Sequence, residues 1–429
     1  MVKPSSLENL IQANGAVVSS DVHGDYELIS NSLQYANNNN LAYVVNGDIV
    51  NDYAFKELAN NLGYNFVSDM QNDYFSKNLS EVDLETLGLV QAAQTYGIDG
   101  LLSQIPEDMR EQFSQGLEER LNYSQSELFQ KRVQGVHQNF ISEKGNEIQQ
   151  NQLNLRALYE VFMDEEAKRF AEQLNKYSDV KTAINLGNHE NALFVEQVKQ
   201  YLDNPNQITN LTSLEGHYKI EQDNGETLSL VGMTNCVQFM PYLNEILSPE
   251  EMAQYYSHMN IDQIKSKSIL SGNIDPTNLE NLVDIYSQDF DYQKTKVNGE
   301  GDADVFVTHG QVGITGNMYE VPYFASALKL SLESQLTIEG HIHKKFDGKN
   351  AYGKDMIRAV GNDVAVISKD ESGNVNHDWV NVSSSYTNGH DTSIPYNEEY
   401  LKLRVEDLIK QYKLNLNNSS NNSDNSQTV

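Results

Sequence analysis

Leu41-Ala42-Tyr43-Val44-Val45-Asn46-Gly47-Asp48 is the stretch of sequence that decides the fold. A mostly apolar run of β-forming residues continues without a break into a glycine and a carboxylate. Such a run indicates a strand that is buried on both faces, as in a parallel sheet covered by helices. We therefore expect an α/β fold. Because ligands collect at the carboxyl ends of such strands, we expect the functional site to lie at the strand ends.

Four further runs of this kind are predicted as strands, at 16–20, 181–186, 304–308 and 334–339. The residues that follow them are Asp21-Val22-His23, Gly187-Asn188-His189-Glu190, His309-Gly310 and Gly340-His341-Ile342-His343. Apolar spacing predicts helices after two of the strand ends, at 26–35 and 191–201. The alternation of strands and helices supports the α/β class.

The strand ends share one kind of chemistry. Eight polar residues carry it: Asp21, His23, Asp48, Asn188, His189, His309, His341 and His343, which include five of the ten histidines of the chain. Any one of them alone has a structural explanation, such as a helix N-cap or a buried hydrogen bond. Together they favour a metal site. Carboxylate, imidazole and amide oxygen without thiolate suit Mn²⁺, Fe or Zn²⁺, and two such ions can share one carboxylate.

Charge and composition exclude several classes of protein. The net charge is −31, from 30 basic and 61 acidic residues, so we expect no long nucleic acid partner. No apolar run approaches the roughly 20 residues of a membrane helix, and we expect no membrane partner. A single cysteine, Cys236, excludes an intrachain disulfide framework and a cysteine metal cluster. Residues 1–15 lack a signal pattern, which predicts a cytoplasmic protein; the alternative is an effector secreted without a classical signal peptide.

Two long segments interrupt the strand pattern. Residues 53–180 are rich in Gln, Glu, Leu and Ala and predict a helical insertion, within which 124–177 is compatible with a hairpin that turns near Gly145-Asn146. A second helical insertion is predicted at 239–292. The core is then discontinuous, at 1–52 and 181–395, and the polar tail at 415–429 is predicted to be disordered. The long insertion is either a solvated helical surface or a segment that caps the site or binds a protein partner.

In order and composition, the five polar blocks resemble those of the calcineurin-like metallophosphoesterase superfamily. The resemblance covers residues 15–55, 180–240 and 300–385, and it implies a four-layer α/β/β/α sandwich with the helical insertions outside it. It implies a first metal held by Asp21, His23 and His343, a second held by Asn188, His309 and His341, and Asp48 as the bridging ligand. It further implies a water between the ions that attacks phosphorus, with His189 as general acid and with Asn188 and His189 against the substrate.

The first, third and fourth blocks are similar to those of the phosphoprotein phosphatase branch. That branch carries an aspartate and an arginine where this sequence has Asn51 and Asp52, and a second arginine where it has Leu186. Asn51 and Asp52 are therefore candidates for orienting His189, and the two phosphate-binding arginines are replaced. The last block, Gly340-His341-Ile342-His343, resembles broader branches that include diesterases and nucleases.

Three functions are compatible with this sequence. A phosphomonoesterase acting on a phosphorylated protein or a small phosphate ester agrees with the blocks that resemble the phosphatase branch. A phosphodiesterase acting on a cyclic nucleotide or a small diester agrees with the replaced arginines, because a diester carries less charge than a monoester. A non-catalytic effector or scaffold is the third, and the complete ligand set argues against it. We expect a phosphomonoesterase with two divalent metal ions.

Overall fold

The structure is a computed structural model that describes residues 10–103, 105–212, 217–234, 242–255, 257, 303–310, 312, 325–350, 353–383 and 396–424. It divides into two compact units. The first comprises Met1–Leu58 and Leu158–Asp407, and the second comprises Ala59–Ala157 and Leu408–Val429. Residues 53–58 and 158–180, at the two ends of the predicted long insertion, thus belong to the first unit. In its described residues the second unit is built from helices.

The strands are β1 (Leu10–Gln12), β2 (Ala16–Ser20), β3 (Ala42–Asn46), β4 (Thr182–Asn185), β5 (Ile208–Asn210), β6 (His217–Glu221), β7 (Thr227–Met233), β8 (Val305–Thr308), β9 (Leu336–Glu339), β10 (Phe346–Lys349), β11 (Asp355–Arg358), β12 (Asp363–Lys369) and β13 (Val375–Asn381). The α-helices are α1 (Tyr26–Asn38), α2 (Asp52–Asn61), α3 (Val67–Asn78), α4 (Glu81–Ser103), α5 (Arg110–Ser124), α6 (Glu127–Asn175), α7 (Phe194–Tyr201), α8 (Leu243–Ile246), α9 (Pro249–Tyr255), α10 (Ala325–Glu333) and α11 (Glu398–Asp424). The five predicted strands are confirmed to within two residues at each end.

The strands form two sheets, called sheet one and sheet two. Sheet two is mixed and has six strands in the order β13-β12-β2-β3-β4-β5, of which β2 to β5 are parallel. Every residue of β2, β3 and β4 is buried, as expected for strands covered on both faces. Ser20 pairs with Asn46, and Asn46 pairs with Asn185, so three strands end at the same level.

Sheet one has seven strands in the order β1-β6-β7-β8-β9-β11-β10 and is also mixed. Its central strands β7, β8, β9 and β11 are parallel, and antiparallel pairs lie toward both edges. Thr308 at the end of β8 pairs with Glu339 at the end of β9. The residues that follow these two strands therefore leave the sheet side by side.

The core of the first unit lies between the two sheets. One buried cluster contains Val18 and Val44 of sheet two together with Leu230 and Ile338 of sheet one. On the outer faces, α1 packs against β2 and β3, and α10 packs against β8, where Leu330 and Phe306 belong to one cluster. Burial of apolar residues on both faces of both sheets explains the continuous apolar runs. The predicted α/β class is confirmed, with two mixed sheets.

Helix α6 corrects one prediction. It runs without interruption from Glu127 to Asn175, so the hairpin turn near Gly145-Asn146 is wrong. A glycine inside a helix costs about 1 kcal/mol, which is too little to end a helix that is well packed elsewhere.

Two other predicted segments are described in part. Residues 415–424, for which the composition predicts disorder, continue α11, since adding residues to an existing helix needs no new nucleus; residues 425–429 lie outside the described residues. Of the predicted second insertion, residues 242–255 and 257 are described and contain α8 and α9. Its other residues, like Cys236, lie outside the described part of the chain.

Candidate metal centre

The polar residues predicted from the strand ends come together at one edge of the two sheets. In sheet two, Asp21 follows β2 directly, Asp48 lies two residues after β3, and Asn188 lies three residues after β4. In sheet one, His309 follows β8 and His341 lies two residues after β9. Because the strands of each sheet end in register, these loops meet although they lie far apart in sequence.

Asp21, His23, Asp48 and His343 form a first group of ligand-type side chains, whose ligand atoms all lie within 4.8 Å of one another. Nε2 of His23 lies 2.9 Å from Nε2 of His343 and 3.6 Å from Oδ2 of Asp48. Nε2 of His343 lies 3.8 Å from Oδ1 of Asp21. Carboxylate oxygens and imidazole nitrogens converging in this way are positioned closely enough to hold a metal ion.

Asp48, His309 and His341 form a second group, and Asn188 joins it. Nε2 of His309 lies 3.1 Å from Oδ1 of Asp48 and 3.0 Å from Oδ1 of Asn188. Nδ1 of His341 lies 3.2 Å from the same Asn188 oxygen. Asp48 is therefore shared: its Oδ1 atom faces the second group, and its Oδ2 atom faces the first.

Asp21 gives a direct test of whether a cation fits. Its Oδ1 atom accepts a hydrogen bond from the backbone N–H of His341 at 2.6 Å. Its Oδ2 atom is buried and has no hydrogen-bond partner among the described residues. Leaving a carboxylate oxygen buried without a partner is costly, and a metal ion held by the first group would remove that cost. The residues present therefore fit a metal.

The backbone of the site is strained at the ligand positions. Five non-glycine residues in the described part of the chain have a left-handed backbone, and four of them are Asp21 (φ 53°), His23 (φ 45°), Asp48 (φ 50°) and His341 (φ 68°). Such residues cost about 1–3 kcal/mol each and persist where the surrounding structure holds them. This conformation turns the chain sharply after each strand, so that the side chains point to a common centre.

Glycines next to the ligands allow the loops to approach each other closely. A Cβ atom at Gly47, which has φ 73°, would collide with the ring of His309. A Cβ atom at Gly187 would collide with the carboxylate of Asp48. The glycine in each of these motifs is thus required by packing around the neighbouring ligands.

His189 lies against the two groups, and its predicted role as general acid stays a prediction. Its Nε2 atom is 3.6 Å from Oδ2 of Asp48, and its ring centroid is 4.7 Å from that of His23. Its backbone N–H donates to Oδ1 of Asp48 at 3.3 Å. The ring of Tyr53, which the sequence did not single out, lies 6.1 Å from the ring of His189 and 5.9 Å from that of His23.

The charges of Asp48 and His309 stabilise each other. Burial by itself would raise the pKa of Asp48, but the positive charges of His189 and His309 hold it well below the usual value. Burial would likewise lower the pKa of His309, but the charge and the hydrogen bond of Asp48 raise it to about 9. The lowered pKa of Asp48 favours its ionised form, which is the form of a carboxylate that can bind a cation.

Burial is the largest influence on the pKa values of three further candidate ligands, Asp21, His23 and His341. It raises the pKa of Asp21 to about 7 and lowers the pKa of His341 to about 4. Burial and the charge of His189 lower the pKa of His23 well below its usual value. The imidazoles of His23 and His341 are therefore neutral at pH 7, which is the form that binds metals.

Asn51 and Asp52 lie at the start of α2, directly after the loop of Asp48. Asn51 is buried, and its Oδ1 atom accepts the backbone N–H of Ala54 at 3.3 Å, so it caps the first turn of the helix. Asp52 is the first residue of α2, and its side chain lies outside the described part of the structure. The predicted role of these two residues in orienting His189 stays a prediction.

Glu190 is a structural residue of the site to which the sequence assigned no role. It is fully buried, and its carboxylate accepts the backbone N–H groups of Gly187 at 2.8 Å, Asp48 at 3.1 Å and Val50 at 2.9 Å. It thereby ties the turn after β4 to the turn after β3. Its place next to His189 in the motif was the available signal, but the backbone partners are visible only in three dimensions.

A second buried acid supports the loops of sheet one. Glu339, which ends β9 just before Gly340-His341, pairs with Nε of Arg358 at 2.9 Å. Its other oxygen accepts the backbone N–H of Val312 at 2.7 Å. Glu339 therefore links Val312, which lies after β8, to the end of β9, two residues before His341.

Each of the seven arginines already contacts a group of the protein. Their contacts are Arg110 with the carbonyl of Ile105, Arg120 with Glu85, Arg132 with Asp83, Arg156 with the ring of Tyr412, Arg169 with Glu165 and the ring of Tyr396, Arg358 with Glu339, and Arg404 with Asp164. Leu186, which stands at the position of an expected arginine, is buried. No arginine is thus left without a partner of its own.

Comparison with known proteins finds no family model and no curated protein that matches this chain. Among the described residues, none of the helices combines the length and the apolar character needed to cross a membrane.

Proposed function

We propose that this protein is a metal-dependent phosphoric-ester hydrolase of the calcineurin-like metallophosphoesterase type, with the four-layer α/β/β/α sandwich of that superfamily. Its most fitting substrates are phosphomonoesters, on a phosphorylated protein or a small molecule. The observation that carries the proposal is the shared carboxylate of Asp48, which faces one ligand group with each of its oxygens.

The donor set supports two divalent ions of Mn, Fe or Zn. Asp21, His23 and His343 would hold one of them, and Asn188, His309 and His341 would hold the other, with Asp48 common to both. Bound there, two divalent cations lower the pKa of water and neutralise the negative charge of a phosphoryl group. The amide oxygen of Asn188 adds a ligand without adding charge.

His189 is the residue proposed to move a proton. It is not needed in either ligand group, yet its Nε2 atom lies 3.6 Å from Oδ2 of Asp48. In its protonated form the imidazole can donate its proton to the leaving oxygen as the ester bond to phosphorus breaks. Asn188 and His189 would both lie against the bound phosphoryl group.

A phosphodiesterase acting on a cyclic nucleotide or a small diester is the second candidate. Two observations favour it: Leu186 replaces one expected arginine, and every arginine of the chain already has a contact elsewhere. A phosphodiester carries one negative charge whereas a monoester carries up to two, so a diester needs fewer cations beyond the metals.

Hydrolysis of p-nitrophenyl phosphate and of bis(p-nitrophenyl) phosphate tests the proposal and separates its two forms. The protein is stripped of metal and then assayed with added Mn²⁺, Zn²⁺ or Fe²⁺, next to Asp48→Asn as a control for contaminating activity. We expect metal-dependent release of p-nitrophenol by the wild type. Absence of turnover on both esters with all three metals would contradict the proposal and favour a non-catalytic scaffold.

A further inference from the structure

Glu166 on α6 is a fully buried carboxylate outside both ligand groups. Its Oε2 atom accepts hydrogen bonds from the hydroxyl of Tyr26 at 3.0 Å and from the backbone N–H of Asn51 at 3.4 Å. Its Oε1 atom accepts the hydroxyl of Tyr396 at 2.9 Å. Four segments of the first unit therefore meet at one side chain.

Two of these partners lie close in sequence to proposed metal ligands. Tyr26 follows His23 by three residues and begins α1, and Asn51 follows Asp48 by three residues. The two ligand turns are also joined to each other, because the backbone N–H of His23 donates to the carbonyl of Asp48. The carboxylate of Glu166 therefore contacts the chain where it leaves both turns.

Three backbone N–H groups of the loop that begins with Asp48 donate to buried carboxylates. Asp48 has a left-handed backbone, with φ 50°, and such a turn persists only where its neighbours hold it. Glu190 accepts the N–H groups of Asp48 and Val50, and Glu166 accepts that of Asn51. Two buried acids thus accept three N–H groups of one short loop.

Burial and the neighbours of Glu166 act on its carboxyl group in opposite directions. Burial raises the pKa of Glu166, and the positive charge of Arg169 opposes that shift. Arg169 also lies over the ring of Tyr396, 4.3 Å from its centroid. Burial and the neighbouring Glu166 raise the pKa of Tyr26, so its hydroxyl remains a donor. A buried network in which each member has a partner is rigid.

We infer that Glu166 is a positioning residue of the metal centre, which holds the turns of His23 and Asp48 at the separation that the shared carboxylate requires. This inference rests on the proposed metal centre. Glu166 touches neither the proposed ions nor the substrate, and it acts through the backbone of Asn51 and the hydroxyl of Tyr26. Some residues orient the metal ligands without binding the metal themselves. Substituting such a residue commonly lowers metal affinity by about 10–100-fold.

The test compares Glu166→Gln with Asp164→Asn, which lies two residues away on the same helix. Asp164 is a matched control because it also holds two partners, the hydroxyl of Tyr201 at 2.7 Å and Arg404 at 3.1 Å, and neither lies in a ligand turn. Titration calorimetry measures Mn²⁺ affinity, and electron paramagnetic resonance measures spin coupling between two bound Mn²⁺ ions. The melting temperature without metal measures stability.

For Glu166→Gln we expect Mn²⁺ affinity to fall by about tenfold or more and the spin-coupled signal to weaken. For Asp164→Asn we expect affinity within about twofold of wild type, even where the melting temperature falls equally. Tyr26→Phe, which removes one hydroxyl and keeps the ring, is the milder variant if Glu166→Gln does not fold. It should lower the affinity in the same direction by a smaller factor.

Unchanged Mn²⁺ affinity in both Glu166→Gln and Tyr26→Phe, or an equal loss in Asp164→Asn, would overturn the inference. Failure of the proposed metal centre has a different result, because the wild type itself would then bind no Mn²⁺.

Discussion

Oδ1 of Asp48 lies 3.1 Å from Nε2 of His309, and both side chains are buried. The same carboxylate reaches the first ligand group with its other oxygen, 3.6 Å from Nε2 of His23. Asp48 is therefore the one side chain common to the two groups of possible metal ligands in the described part of the chain. Its chemistry should dominate the behaviour of the whole site.

Asp48→Asn should lower kcat for p-nitrophenyl phosphate by about 100-fold or more and should reduce the bound metal below two ions. The amide has nearly the same shape but lacks the negative charge that two divalent cations share. Metal content is measured by mass spectrometry of the desalted protein. The value of kcat is measured in an activity assay at saturating Mn²⁺. Asp25→Asn is the matched control, since Asp25 caps α1 through the N–H of Leu28 at 2.8 Å and asparagine caps equally well. Two tightly bound ions in Asp48→Asn would contradict the bridging role.

His189→Ala should keep the metal content of the wild type but lose about 10²–10⁴-fold in kcat on a phenyl or alkyl phosphate. The loss should be smaller on p-nitrophenyl phosphate, because p-nitrophenolate leaves readily without a proton. The measurement is the ratio of kcat values for the two leaving groups in wild type and variant. Full turnover of the alkyl ester by His189→Ala would show that another group supplies the proton.

The metal-free protein should lose stability as pH rises from 7 toward 9.5. The pKa of His309 is raised from the ordinary 6.5 to about 9 in the folded state, so the folded protein holds this proton more tightly than the unfolded chain. The resulting stability is complete below pH 6.5 and is lost as pH rises through about 9. Burial raises the pKa of Asp21 from 3.8 to about 7, so this residue changes the stability of the protein at lower pH, between 3.8 and 7.

Melting temperatures in EDTA at pH 7 and 9.5 measure this loss. With saturating Mn²⁺ the His309-linked loss should vanish, because a metal ligand is a neutral imidazole at both pH values. His309→Asn in EDTA should show a smaller decrease than the wild type over the same range. An equal decrease in wild type and His309→Asn would contradict the assignment of the effect to His309.

Lys344→Gln should raise KM for p-nitrophenyl phosphate several-fold with little change in kcat. Lys344 directly follows His343, a candidate metal ligand, is exposed, and has no side-chain partner among the described residues. With every arginine in contact elsewhere, it is a cation still available to attract a phosphate dianion near the site. The expected effect weakens as ionic strength rises.

Lys345→Gln is the matched control for this prediction. Nζ of Lys345 lies 3.0 Å from Oδ2 of Asp363 and 4.1 Å from the ring centroid of Trp379. Its charge is therefore already paired with a carboxylate and an aromatic ring. We expect its KM to stay within about twofold of wild type. Equal KM values for Lys344→Gln and Lys345→Gln would show that Lys344 has no special part in substrate binding.

Local patterns were enough to predict the central strands and the ligand-type residues. The run before Gly47-Asp48 is apolar because both faces of β3 are covered. A short window of the sequence around this strand is enough to indicate that burial. The hairpin near Gly145-Asn146 failed for the opposite reason. A glycine marks a turn only when packing does not continue the helix through it, and α6 continues for 49 residues.

The sequence by itself determined which residue types make up the candidate site: carboxylates, imidazoles and an amide after buried strands, and glycines where the turns are tight. Only the tertiary structure decided that Asp48 divides its oxygens between two groups, that Glu190 and Glu166 hold its loop, and that no arginine is uncommitted. The reason is physical. Residue type and periodicity are local properties, whereas burial, backbone strain and ligand distances arise when segments far apart in the chain, such as those of His23 and His343, are packed together.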